Sequence, residues 1–135
     1  MNLYGLINAE EGKSPLLDKG LSHSLGMLAK VRSLPATVLV AAWGNQGGGG
    51  LILSDEIRDL HVRLGVLSSC GCAMVVWGTR ADFAWPGREV SDEAFETQCA
   101  FYEEAEYEAA AEQITAFLNE VDGKTWRASL PVEEF

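Results

Sequence analysis

Lysine and arginine are missing between Glu89 and Asp122 and scarce elsewhere: 10 basic residues stand against 20 acidic ones, a formal net charge of −10. A surface of that sign repels the phosphates of nucleic acids and anionic lipids, so neither nucleic-acid nor membrane binding is expected. Histidine is nearly absent too, with 2 residues. Acid–base chemistry would fall to carboxylates, and none of these forms a distinctive pair. Ser22, His23 and Ser24 do not supply a nucleophile and its base, because sequence neighbours on a helix do not face one another. The 3 cysteines fall short of the four ligands of a structural zinc site. Cys70 and Cys72 form a C-x-C, with Cys99 far away. The expectation is three free thiols: Cys70 in a turn, Cys72 in a core strand and Cys99 in a helix stripe. No metal or cofactor is expected. No apolar run approaches the ~20 residues of a membrane helix, and "MNLYGLINAEEGK" lacks the basic start of a signal peptide. The expected location is the cytoplasm.

What is present has an ordinary globular balance, with 47% hydrophobic and 22% charged residues. A length of 135 residues suits one domain, expected over 1–135. Leu3 to Ile7 reads as a strand. Leu21, Leu25, Leu28 and Val31 recur at helical spacing, with Asp18 or Ser22 as cap and Pro35 as stop. "TVLVAAW" is continuous and β-branched, which predicts a strand buried on both faces. "LILS" (51–54) is a further strand, after which Ser54, Asp55 and Glu56 open a helix with Ile57, Leu60, Leu64 and Leu67 on one stripe. Cys72 to Thr79 is the next strand. A long helix is expected from Ser91 to about Val121, its stripe formed by Phe95, Cys99, Tyr102, Ala109, Phe117 and Val121. "DGKTWRASL" closes the chain as a turn and a last strand.

That order predicts an α+β fold, a ferredoxin-like βαββαβ two-layer sandwich with an added long acidic C-terminal helix and a last strand. The alternative is a small three-layer Rossmann-like α/β fold with a mainly parallel sheet. "VAAWGN" and "MVVWGT" echo one another. Side by side and parallel, these strands would place Trp43 and Trp77 at one edge of the sheet.

"WGNQGGGG" (43–50) is the most conspicuous local feature. A dinucleotide site needs its glycines to pass straight into a helix N-terminus. Here "LIL" intervenes, and no lysine or arginine lies between Pro35 and Arg58. "GLINAEEGKS" likewise fails the G-x-x-x-x-G-K-[ST] spacing of a phosphate loop, because Ile7 stands where its first glycine belongs. The run is therefore expected to be the long, mobile tip of a β-hairpin, tolerant of shortening within Gly47 to Gly50.

Two functional readings emerge. The first is a small acidic, non-enzymatic protein that inhibits, neutralises or chaperones a basic protein partner, in the manner of an immunity protein, a phage anti-defence inhibitor or a secretion chaperone. Its binding surface would join Glu93, Glu104, Glu108 and Glu112 on one face of the long helix to Asp82, Phe83 and Trp85 in the neighbouring loop. The second is a small-ligand protein or enzyme with a site at the strand-end loops 8–12, 43–50 and 77–85. Its candidates are Asn8, Trp43, Asn45, Gln46, Trp77 and Thr79. Enzymatic function has the thinner support, and composition leaves self-association open.

Overall fold

The structure, a computed structural model, describes residues 3–7, 17–45, 48–67, 71–80 and 99–129. Six strands form one sheet in sequence order: β1 (Leu3–Ile7), β2 (Leu39–Asn45), β3 (Gly48–Asp55), β4 (Leu60–Leu67), β5 (Ala73–Gly78) and β6 (Cys99–Tyr102). β1 lies parallel to β2, with helix α1 (Leu17–Leu28) between them in sequence. β2 to β6 form a five-stranded antiparallel meander. A 3-10 turn at Glu104–Glu106 leads into α2 (Tyr107–Leu118), and a short α3 (Gly123–Ala128) follows.

Apolar side chains decide which face the helices cover. Val40 and Ala42, Leu51 and Leu53, Leu60, Val62 and Leu64, and Ala73 and Val75 share one face of the sheet. Met27 and Leu28 of α1 close over them, as do Tyr107, Ala110, Ile114, Phe117 and Leu118 of α2. Phe117 meets Trp126 of α3 edge-on, with ring centroids 5.0 Å apart. β2 is buried from Val40 to Trp43, as its unbroken apolar run predicts. The second face also buries Ala41, Trp43 and Met74.

Both predicted architectures are overturned. A ferredoxin-like sandwich interleaves its strands through two βαβ units, whereas this sheet keeps sequence order. A Rossmann-like sheet would be mainly parallel, and β1–β2 is the single parallel pair among the described strands. The deciding difference lies at 55–67, expected to be a helix. Leu60 and Leu64 fit both periods, but Val62 between them and Val66 beyond them are also fully buried, so the chain follows the twofold alternation of a strand. Asp55 does act as a cap, though of a tight turn: its Oδ1 accepts the N–H groups of Ile57 (3.1 Å) and Arg58 (3.0 Å).

The long helix expected at 91–121 is corrected in its described part. Cys99 and Tyr102 belong to β6, and helix begins only at Tyr107. The expected last strand is helical, because Asp122 accepts the Thr125 N–H at 2.7 Å and so caps α3. Trp43 and Trp77 do not share an edge, since β2 and β5 are neither adjacent nor parallel.

The expected β-hairpin is formed by β2 and β3, but Gly48, Gly49 and Gly50 belong to its strand rather than to a long tip; Gln46 and Gly47 lie outside the described residues. Gly48, Gly49 and Gly50 pair in register with Asn45, Gly44 and Trp43 on one side and with Leu67, Val66 and Gly65 on the other. Shortening there would shift the register, contrary to the expected tolerance. Bare backbone lets α1 approach unusually closely: a Cβ on Gly20 would overlap the Gly49 carbonyl, and one on Gly49 would lie 3.0 Å from Leu17 Cα. Ser24 completes this contact. Its hydroxyl donates to the Gly20 carbonyl (2.7 Å) and accepts the Leu51 N–H (3.2 Å), so a strand donor is satisfied by a helix. Gly50 and Gly65, partners across β3 and β4, have φ of +156° and +150°, which a side chain would oppose.

Candidate functional site

Two groups of polar residues stand out, and they differ in how fully the fold uses them. The first gathers around the β3–β4 turn. Asp55 is fully buried, and its Oδ2 accepts from Thr37 Oγ1 (2.6 Å) and Arg58 Nε (2.8 Å). Burial pushes its carboxyl up, but the hydrogen bonds from Thr37 and Arg58, with the Arg58 charge, outweigh that and hold it below the usual carboxylate value. The Arg58 guanidinium also donates to the Glu120 carbonyl (2.6 Å) and to that of Leu118, closing the C-terminus of α2. The Gly123 N–H returns the contact by donating to the Arg58 carbonyl at 2.6 Å.

Beside it, Asp59 Oδ1 accepts the Arg80 N–H (2.8 Å) and lies 2.8 Å from Nε2 of buried His61. Arg80 pairs with Glu56, and Arg127 donates to Thr79 Oγ1 at 2.9 Å. These groups join β3, β4, β5, α2 and α3 at one end of the sheet. The arrangement fastens elements together. Among the described residues, no group of three or more His, Cys, Asp or Glu side chains is placed to hold a metal ion.

The second group is the acidic surface. On α2, Tyr107, Ala110, Ala111, Ile114, Phe117 and Leu118 turn inward, which leaves Glu108 and Glu112 outward with Ala109 and Gln113. Glu104 is exposed one turn earlier, and Glu103 and Glu106 flank it. Glu106 Oε1 accepts the Glu103 N–H at 3.0 Å, and this capping box is what seats the acidic turn. Among the described residues, no lysine or arginine forms an ion pair with any of these five glutamates. Four of the described arginines are engaged elsewhere: Arg58 and Arg80 as above, Arg127 at Thr79, and Arg63 over the Trp43 ring at 4.6 Å from its centroid; Arg32 is exposed beyond the end of α1. The local negative field reaches the neighbouring phenols. Tyr107 is raised by burial and then by the Glu104 charge, and Tyr102 by burial and then by Glu106.

The expected partner surface is thus described in part. Glu104, Glu108 and Glu112 lie together on the outside, whereas Asp82, Phe83, Trp85 and Glu93 fall outside the described residues. Sequence reasoning missed Glu103, Glu106 and exposed Phe101 at the end of β6, because it read that stretch as uninterrupted helix.

Of the alternative ligand loops, the described parts of 43–50 and 77–85 lie at opposite ends of the sheet, and 8–12 falls outside the described residues. Ile7 and Trp43 are partners at one end of β1 and β2, while Gly78 is opposite His61 at the other end of the sheet. Asn8 and Gln46 lie outside the described residues, and Asn45 closes β2. Trp43 is buried, lying against Gly48, and its indole N–H donates to the Leu64 carbonyl at 2.9 Å. Trp77 packs on the core, and Thr79 is buried against Arg127.

Of the expected free thiols, Cys99 is one, Cys72 is not, and Cys70 lies outside the described residues. Cys72 is disulfide-bonded, while Cys99 is free and buried in β6 rather than in a helix. Burial pushes the Cys99 thiol up to about 11. No helix of the described chain is long and apolar enough to cross a membrane. Comparison with protein-family models, with curated proteins and with solved structures finds no match for this chain.

Proposed function

We propose that this is a non-enzymatic binding protein whose acidic surface, Glu103, Glu104, Glu106, Glu108 and Glu112, receives a basic protein partner in the cytoplasm. One observation carries the reading: five exposed carboxylates are clustered with no lysine or arginine ion-paired to them among the described residues, while Arg58, Arg63 and Arg127 are engaged in contacts within the fold. Like charges three or four residues apart weaken a helix by about 0.2–0.5 kcal/mol per pair. Packing of Ile114, Phe117 and Leu118 offsets that loss. A basic partner would turn the repulsion into attraction, and steering by rim charges raises the association rate above all. Inhibition, neutralisation and chaperoning all use such a surface.

The test places a photo-crosslinking residue at exposed Gln113, within the acidic face, and a control at exposed Lys30 beyond the end of α1. The expected result is one basic protein crosslinked from Gln113 and not from Lys30, with the adduct lost when Glu108 and Glu112 are both changed to lysine. An adduct that survives those reversals, or no adduct from Gln113, contradicts the proposal.

A further inference from the structure

The acidic surface does not stand alone: it begins where the sheet ends. β6 is the terminal strand, and among the described residues no strand pairs with its outer side. A terminal strand offers a row of main-chain N–H and C=O groups, a template for a further strand. Natural edges are commonly blunted by lysine, proline or a bulge. β6 reads Cys-Ala-Phe-Tyr, pairs with β5 without interruption, and leaves Phe101 46% exposed. The chain then passes directly into exposed Glu103, Glu104 and Glu106.

We infer that β6 is the docking edge for an extended basic segment of the partner protein, which adds to the sheet as a strand. The inference rests on the functional proposal above and makes it specific. Main-chain bonding along β6 would supply affinity, and alternate side chains would supply selectivity. An apolar side chain opposite Phe101 would cover that ring, and lysines or arginines beyond Tyr102 would meet the three glutamates. A second copy of the chain is a poor occupant. Pairing two β6 edges would bring together two molecules that each carry a net charge of −10.

The full chain, isotopically labelled, is titrated with a synthetic peptide of alternating lysine and valine and followed by NMR and amide hydrogen exchange. The expected result is a shift of the Ala100, Phe101 and Tyr102 amides, with exchange along β6 slowed by about tenfold as an edge strand becomes an interior one. Phe101→Lys, with unchanged dispersion elsewhere in the spectrum, should abolish that slowing; Phe101→Thr should reduce it. Shifts confined to Glu104, Glu108 and Glu112 would overturn the edge while leaving the acidic surface as a binding face. No shift at either place overturns both. Equal protection of β6 by an uncharged threonine–valine peptide, or concentration-dependent protection with no peptide, would also overturn the inference, the latter by showing a second copy to be the occupant.

Discussion

Asp55 shows how one residue sets a boundary that its neighbours only suggest. Its carboxylate satisfies a hydroxyl, two main-chain N–H groups and a guanidinium, and through Arg58 it reaches the end of α2. Breaking a buried charged pair by removing one member costs about 3–5 kcal/mol. Asp55→Ala should therefore lower unfolding free energy by roughly that amount in urea at neutral pH. The pH dependence has a definite sign. Because the folded carboxyl is held below its ordinary value of 3.8, its contribution is complete above that pH and is lost as pH falls through the folded value. The gap between wild type and variant should narrow in that acid window; a gap that stays constant would show that the charge of Asp55 is irrelevant. Cys99 supports a second residue-scale test. With its thiol near 11 and buried, a thiol reagent at pH 7.5 should label it only after unfolding. Rapid labelling of the native protein would place it at an open surface.

At the scale of elements, the decisive contact is α1 on β3. Helix propensity favours Gly20→Ala by about 1 kcal/mol. The Gly49 carbonyl stands where the new methyl must go, so the variant should instead lose at least about 2 kcal/mol by overpacking. A more stable Gly20→Ala protein would mean that helix and strand lie further apart than described. Much of this layer was legible: Leu3–Ile7, the buried run of β2 and the helix ending before Pro35 all follow from apolar pattern. The inner stripe of α1 was not, because Gly20 and Ser24 rather than Leu25 face the sheet, and small residues leave no hydrophobic signature. β4 was misread because Leu60 and Leu64 satisfy two periods at once. β6 was misread because four residues pair with β5 in the middle of a helix-favouring sequence, a decision made by the rest of the sheet.

At the scale of the whole molecule, charge is unevenly spread: Arg58, Arg63 and Arg127 make contacts within the fold, while a cluster of carboxylates occupies the outer face of α2 and the turn before it. Sequence made the acidity of Glu104, Glu108 and Glu112 plain, since composition alone shows the missing countercharge. It could not show that the cluster adjoins a sheet edge, because that adjacency depends on β6 being a strand. The most direct test measures the rate at which the wild-type chain and the Glu104→Lys, Glu108→Lys double variant associate with the crosslinked partner over a range of salt concentrations. The expected result is slower association by the variant, a shallower dependence on salt, and a dissociation rate changed far less. Identical association rates and identical salt dependence would contradict it, leaving the carboxylates as an ordinary solvated surface.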